Sequence, residues 1–207
     1  MPALLVAGIG TDVGKTYVAA AVLAGLCARK LAVDAFKPLA SGLDPDRPAG
    51  SDPAMLLAAM GEAATPEGVA RVSPWRFRAA LAPDQAAALE GRRVDAAAVI
   101  AACRARVEAA GDRWLLIETA GGIMSPLDAD TTMLDLAAAL RLPVLLVAGS
   151  YLGAISHTLT AVRVLDAAGL APIRDRLAPI PVVAVRRGAP VPEALLGLLT
   201  QADPPRH

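Results

Sequence analysis

The sequence predicts an α/β fold in three layers, with a mostly parallel central sheet flanked by helices. Short apolar runs of the length of buried strands recur along the chain, and patterns typical of helices separate most of them. A glycine-rich loop directly follows the first run and opens the first helix. Strands that alternate with helices favour parallel pairing, because each helix returns the chain to the same edge of the sheet.

The elements can be assigned from these patterns in chain order. The predicted strands are Leu4 to Ala7, Ala32 to Phe36, Trp114 to Ile117, Val144 to Ala148 and Val182 to Val185. The predicted helices are Lys15 to Arg29, Pro53 to Met60, Pro83 to Leu89, Asp95 to Ala110, Met133 to Leu140, Ile155 to Ala168 and Pro192 to Thr200.

The loop after the first strand has the residues of a phosphate-binding P-loop. It reads Gly8-Ile-Gly-Thr-Asp-Val-Gly-Lys-Thr-Tyr17, with five residues between Gly8 and Gly14 where four are usual. Backbone N–H groups of such a loop converge on an anion, Lys15 supplies positive charge to the β- and γ-phosphates, and the Thr16 hydroxyl can bind Mg²⁺. A simple glycine turn would not require this lysine and hydroxyl. The loop therefore predicts nucleotide binding in a P-loop NTPase fold.

Composition favours a single domain, residues 1–207, that acts on a small ligand. The chain has 20 Lys plus Arg and 20 Asp plus Glu, so no net charge attracts nucleic acid or an anionic membrane. Its apolar stretches are shorter than the roughly 18 residues of a spanning helix, and the first one leads into the P-loop, so we expect a cytoplasmic protein. Cys27 and Cys103 lie in Ala-rich helical stretches, which is typical of buried free thiols.

Polar residues follow the predicted strands, where ligands collect in an open parallel sheet. Lys37-Pro-Leu-Ala-Ser-Gly42 follows the second strand, Glu118-Thr-Ala-Gly-Gly122 the third, and Gly149 to His157 the fourth. Asp52 begins a helix after a loop rich in Pro, Asp and Gly. Mg²⁺ prefers oxygen ligands, so Glu118 and Asp52 are candidates to bind it.

Each of these candidates has a simpler interpretation. Ser51 or Asp52 could serve only to cap the following helix. Lys37 could be a surface lysine, although surface lysines seldom follow a buried strand directly. His157 could be either a satisfied polar residue at a helix start or a substrate contact.

Taken together, these segments resemble the dethiobiotin synthetase family. The matching segments are residues 11–16, 37–42, 51–52, 118–122, 125–127, 149, 152–153 and 156–157, and residues 72–77 resemble a further family segment. The match runs to about Leu170, and the sequence that follows lacks the family stretch that ends in its adenine-reading Asn. Pro181 to Val183 remain as residues that could flank the base.

The resemblance implies an ATP- and Mg²⁺-dependent ligase of biotin biosynthesis. Such an enzyme carboxylates 7,8-diaminopelargonic acid with CO₂ and closes the ring of dethiobiotin, through a carbamate and a carbamic-phosphoric anhydride. It also implies a homodimer, with the substrate's tail across the subunit boundary near Gly149 to His157. Nucleic acid and membranes are not expected partners.

The resemblance also implies roles for individual residues. Lys15 and Lys37 would be catalytic. The substrate would contact Ser41, Gly121, Gly122 and Gly153. The nucleotide would contact Thr11, Asp12, Val13, Gly14, Lys15, Thr16, Tyr17, Asp52, Glu118, Thr119, Ala120, Gly121, Pro181, Val182 and Val183. Thr16, Asp52 and Glu118 would bind the metal.

Two other functions fit parts of the sequence less well. A nucleotide-dependent switch ATPase of the partitioning or division-site type shares the fold, but Gly10 stands where that class has its signature lysine. A glutamine-fed ligase would need a cysteine-based amidotransferase domain, for which the chain has neither motif nor length.

Overall fold

A computed structural model describes residues 2–44, 47–170, 192–193 and 195–197 of the chain. Its strands are β1 (Ala3–Gly8), β2 (Val33–Phe36), β3 (Leu39–Ala40), β4 (Trp75–Arg76), β5 (Trp114–Glu118) and β6 (Val144–Val147). Its helices are α1 (Lys15–Ala28), α2 (Asp52–Ala59), α3 (Pro66–Val72), α4 (Pro83–Leu89), α5 (Ala96–Ala110), α6 (Met133–Leu140) and α7 (Ala154–Ala167). The strands and helices alternate as predicted, in an α/β architecture.

The main sheet has four parallel strands in the order β2-β5-β1-β6. Val6 of β1 lies opposite Glu118 of β5, and Phe36 of β2 lies opposite Ile117. Because all four strands run in the same direction, their carboxyl ends meet at one edge. This topology brings together the loop after β1, Lys37 after β2, Glu118 at the end of β5 and the segment after β6.

Side chains of β1 alternate between two apolar cores, one on each face of the sheet. Leu4 and Val6 pack with residues of α1, α2 and α3. Leu5 and Ala7 pack with residues of α5, α6 and α7. This two-sided burial explains why the strand reads as a continuous apolar run, and it makes the fold a helix–sheet–helix sandwich.

Most predicted elements are present with small shifts at their ends. The helix at Pro83–Leu89 and the helix at Met133–Leu140 have the predicted bounds. The short parallel pair β3–β4 and the helix α3 were not predicted. The predicted strand Val182 to Val185, and residues 194 and 198–200 of the predicted helix Pro192 to Thr200, lie outside the described residues.

The helices in the described part of the chain are all too short or too polar to cross a membrane.

Candidate active site

The loop between β1 and α1 is in contact with the side chain of Lys15, the first residue of α1. Gly14 has a φ of 97°, which favours glycine, and α1 begins without a side-chain cap. The Lys15 ammonium donates a 2.9 Å hydrogen bond to the carbonyl oxygen of Gly10. A Cβ at Gly8 would lie 2.9 Å from Cδ of Lys15, so glycine is required there. The loop thus holds a buried ammonium beside a helix start that has no side-chain cap, an arrangement suited to phosphate.

Lys37 lies at the centre of a buried cluster of oxygen atoms. Its ammonium donates to Glu118 Oε1 at 2.7 Å and to Thr16 Oγ1 at 3.3 Å. It also forms an ion pair with Asp52. Thr16 Oγ1 in turn donates to Glu118 Oε1 at 2.7 Å. The side chains of Lys37 and Glu118 are only 6% and 1% exposed, whereas that of Asp52 is 45% exposed.

The two site lysines have opposite pKa shifts. Burial lowers the pKa of Lys15, and this effect outweighs the attraction of Glu118. Burial also acts to lower the pKa of Lys37, but Glu118 and Asp52 together outweigh it, so the pKa of Lys37 is raised. Lys37 is therefore a firmly charged ammonium within the cluster.

The start of α2 shows which of its two candidate residues, Ser51 or Asp52, caps the helix. The Ser51 hydroxyl accepts a hydrogen bond from the Ala54 N–H and caps the helix. Asp52, the first residue of the helix, is left to pair with Lys37. The cap and the ion pair are therefore carried by neighbouring residues, and Asp52 is not needed as the cap.

The loop after β5 touches the P-loop without an intervening side chain. A Cβ at Gly122 would lie 3.2 Å from backbone atoms of Ile9 and Gly10. The Gly122 N–H donates to Ser125 Oγ at 2.8 Å, and the Ile123 N–H donates to the carbonyl of Gly8 at 2.9 Å. A side chain at position 122 would therefore push against the P-loop backbone, so this close approach favours glycine.

Three buried oxygen atoms near these elements have no hydrogen-bond partner within the described structure. They are Ser41 Oγ, Thr119 Oγ1 and Glu118 Oε2. Buried polar atoms are normally paired, so each is available to a ligand.

The segment after β6 contacts the other side of the P-loop. A Cβ at Gly149 would lie 3.7 Å from a methyl group of Val13. Gly153, with a φ of 98°, is the N-cap residue of α7, and the Tyr151 hydroxyl is 2.8 Å from Nδ1 of His157. Leu152, Ile155 and Leu159 are exposed on the same stretch.

The structure brings together most of the predicted site residues. Thr16, Lys37, Asp52 and Glu118 are in contact, with Lys15 in the adjoining loop. Thr11 and Asp12 are exposed, and Asp12 has a φ of 57°. Pro181, Val182 and Val183, proposed to flank the base, lie outside the described residues.

Sequence reasoning assigned no role to three residues that support the site: Gly10, Ser73 and Ser125. Gly10 accepts from Lys15, and Ser73 donates a 2.5 Å hydrogen bond to the carbonyl of Lys37. Ser125 orders the Gly122 loop. Nothing local in the sequence links Ser73 to a lysine that lies far from it along the chain.

Known proteins that are similar to this chain agree on one family. A family model described as an AAA domain matches residues 2–176. The ATP-dependent dethiobiotin synthetase BioD of Caulobacter vibrioides is 51% identical over 199 residues, which cover 96% of this chain and 87% of that protein. The BioD protein of Methylobacterium nodulans is 55% identical over 170 residues, covering 80% of this chain and 75% of that protein.

A more distant relative extends over nearly the same length. The ATP-dependent dethiobiotin synthetase BioD of Acidiphilium cryptum is 42% identical over 200 residues, covering 95% of this chain and 87% of that protein. Among solved structures, chloroplast FtsY from Physcomitrella patens has a TM-score of 0.42 and 17% identity, over 96% of this chain and 64% of that one, a likeness too low to indicate an activity. The P-loop, the buried lysine cluster and these extensive similarities lead to one conclusion: the chain belongs to the ATP-dependent dethiobiotin synthetase family.

Proposed function

We propose that this protein closes the ring of dethiobiotin from 7,8-diaminopelargonic acid, CO₂ and ATP, as a single domain in the cytoplasm. Membership of the family makes it an ATP-dependent ligase. The observation that carries the specific reaction is the position of the Lys37 ammonium, among Thr16, Asp52 and Glu118 and beside the P-loop. A fixed positive charge there suits an anionic carbamate that must meet the γ-phosphate.

The P-loop supplies the phosphate site of this reaction. We assign the N–H groups of residues 12–17 to the nucleotide phosphates and the Lys15 ammonium to the β- and γ-phosphates. The orphan hydroxyl of Thr119 and the Ala120 backbone would adjoin the same ligand. The lowered pKa of Lys15 reflects its burial, and a bound triphosphate would favour the charged form again.

Ring closure then needs orientation and charge neutralisation more than a side-chain nucleophile. One amine of the substrate adds to CO₂ and loses a proton to give a carbamate. A carbamate oxygen attacks the γ-phosphorus of ATP and ADP leaves, which gives a mixed anhydride. The second amine attacks the carbonyl carbon and loses a proton, phosphate leaves, and the ring closes. Lys37 would orient the carbamate and the γ-phosphate, and Ser41 would donate its unpaired hydroxyl to the carbamate.

The residues also fit a magnesium ion, by their chemistry. Thr16, Asp52 and Glu118 provide a hydroxyl and two carboxylates, and Glu118 Oε2 is buried with no hydrogen-bond partner among the described residues. Among the described residues, no group of three or more His, Cys, Asp or Glu forms a metal cage by itself. Two carboxylates beside substrate phosphates are typical of Mg²⁺, which when bound would neutralise charge on the transferring phosphoryl group.

A homodimer is part of the proposal because of the surface of α7. Ile155 and Leu159 are exposed one turn apart on α7, and the exposed Leu152 lies just before the helix, close to the segment that contacts the P-loop. An apolar stripe of this kind suits a second copy of the chain. Gly121, Gly122 and Gly153 would then line the path of the substrate from its reacting amines to its tail.

Formation of dethiobiotin, measured by mass spectrometry alongside ADP release, tests the proposal. Both products should require the diamine, bicarbonate and ATP together. ATP turnover that ignores the diamine would instead support a switch ATPase. The sequence has only three lysines, so Lys30→Gln, at an exposed position, is a matched control for Lys37→Gln. We expect Lys37→Gln to lower kcat by about 10² or more with little change in ATP affinity, and Lys30→Gln to change neither.

A further inference from the structure

Both main-chain groups of Lys37 are held by two successive residues at the end of α3. The Lys37 N–H donates to the carbonyl of Val72 at 2.9 Å. The Ser73 hydroxyl donates to the carbonyl of Lys37 at 2.5 Å. Ser73 is fully buried, so water does not compete for this bond. Lys37 is thus held from both sides although it lies outside any strand.

The end of α3 is itself fixed to the core and to the edge of the sheet. Val72 is fully buried in the apolar core, and the Arg71 guanidinium donates to Asp34 of β2 at 3.1 Å. At its other end, the Thr65 hydroxyl caps α3 by accepting from the Gly68 N–H at 3.1 Å. Residues 71, 72 and 73 therefore each tie the last turn of α3 to the β2 region.

The same helix also adjoins the element that carries Asp52. A Cβ at Gly68 of α3 would lie 3.4 Å from a methyl group of Leu57 on α2. Asp52 is the first residue of α2 and pairs with the Lys37 ammonium. Contacts of α3 therefore reach both Lys37 and the helix that supplies its carboxylate partner.

We propose that Ser73 is a positioning residue for Lys37. Its hydroxyl orients the Lys37 peptide so that the side chain places the ammonium between Thr16, Asp52 and Glu118. Catalysis by positioning is sensitive to small displacements, and about 1 Å of misplacement can cost about 100-fold in rate. This role rests on the proposed function of Lys37.

Ser73→Ala tests the role, with Thr65→Ala as its matched control. Each variant removes one hydroxyl at an end of α3 that bonds to a main-chain group: Thr65 bonds to Gly68 within α3, whereas Ser73 bonds to Lys37. We expect Ser73→Ala to lower kcat for dethiobiotin at least about tenfold, with KM for ATP nearly unchanged because the P-loop keeps its contacts. Thr65→Ala should keep kcat within about twofold. Equal kcat values in the two variants would overturn the proposal.

Amide hydrogen exchange gives a readout that does not depend on activity. The Lys37 amide should exchange at least about tenfold faster in Ser73→Ala, relative to the Thr119 amide that donates to Val6 within the sheet. Thr65→Ala should not change that ratio. An unchanged ratio in Ser73→Ala would refute the positioning role even if the protein makes no dethiobiotin, whereas absence of that product from the wild type alone would refute the proposed function.

If Ser73→Ala does not fold, Ser73→Cys takes its place in both measurements. The thiol keeps nearly the same volume and is a weaker donor, so kcat should fall less but still below the Thr65→Ala value. A Ser73→Cys protein with wild-type kcat and wild-type exchange at Lys37 would contradict the proposal.

Discussion

Replacing Lys37 by methionine should destabilise the protein severely, apart from any effect on catalysis. Methionine matches the length of the lysine chain but removes the ammonium. Within the part of the chain that the structure describes, Glu118, whose side chain is 1% exposed, would then keep only the Thr16 hydroxyl as a donor to its Oε1. Removing one partner of a buried pair costs about 3–5 kcal/mol, because an unpaired charge is left in the interior. That is a large part of a typical stability of about 5–15 kcal/mol.

The other partner of Lys37 should matter much less. The Asp52 side chain is 45% exposed, so water can solvate the carboxylate once the lysine is gone. We therefore expect Asp52→Asn to cost about 1 kcal/mol or less. Glu118→Gln in the Lys37→Met background should recover about 2–3 kcal/mol, since no buried charge then remains.

Equilibrium urea unfolding, followed by circular dichroism without nucleotide or divalent cation, measures these differences. Lys30→Met serves as the control and should change stability by about 0.5 kcal/mol or less, because Lys30 is exposed. A Lys37→Met protein within about 1 kcal/mol of the wild type would refute the reasoning. A Lys37→Met, Glu118→Gln double variant that is no more stable than Lys37→Met alone would also refute it.

Asp52→Asn and Glu118→Gln should each raise the Mg²⁺ concentration that gives half of maximal activity, because each removes an anionic ligand; unchanged titrations of both would contradict the proposed metal site. Ile155→Asp should convert a dimer to a monomer in sedimentation analysis because it places a charge in the exposed apolar face of α7, whereas Leu89→Asp, at an exposed leucine on α4, should not. GTP and CTP should support catalysis with kcat/KM within about tenfold of ATP, or about 1.4 kcal/mol, since no adenine-reading residue is identified in the sequence; a thousandfold preference for ATP would show that one exists. Burial raises the pKa of Cys103 to about 12 from an ordinary 9.0. Above pH 9 the unfolded state therefore loses the thiol proton that the native state keeps, and stability falls by up to about 1.4 kcal/mol per pH unit until about pH 12. Unfolding at pH 8 and pH 10 should show a smaller loss in Cys103→Ala than in the wild type.

The sequence predicted the layers of the fold because the strands of the main sheet are buried on both faces. Leu4 to Ala7 and Trp114 to Ile117 read as continuous apolar runs for that reason, and the P-loop marks which end of the sheet carries the site. Strand order could not be predicted, because pairing β1 between β5 and β6 depends on contacts between distant segments. The two-residue strands β3 and β4 are too short to produce a period.

Some site residues could be predicted from the sequence, whereas those that depend on contacts between distant segments could not. Lys37 and Glu118 could be found because strand ends in a parallel sheet converge. The sequence left open whether Ser51 or Asp52 caps α2, since both are good capping residues, and only the folded geometry gives the cap to Ser51. The helix α3 was missed although Thr65 and Pro66 form a helix-start signal, because its seven residues include Gly68 and two valines, which have low helix propensity. Its link to Lys37 through Ser73 has no local signature.

The hydrogen bond between the Lys15 ammonium and the Gly10 carbonyl orders the lysine side chain when the protein folds, before ATP binds. A free lysine side chain has about 2 kcal/mol of rotamer entropy, most of which this contact has already removed. ATP therefore meets a preorganised cation and does not have to order it. A phosphate oxygen must instead replace the Gly10 carbonyl oxygen as the acceptor of the Lys15 hydrogen bond. Part of the binding energy between Lys15 and ATP is therefore offset by the loss of this internal bond.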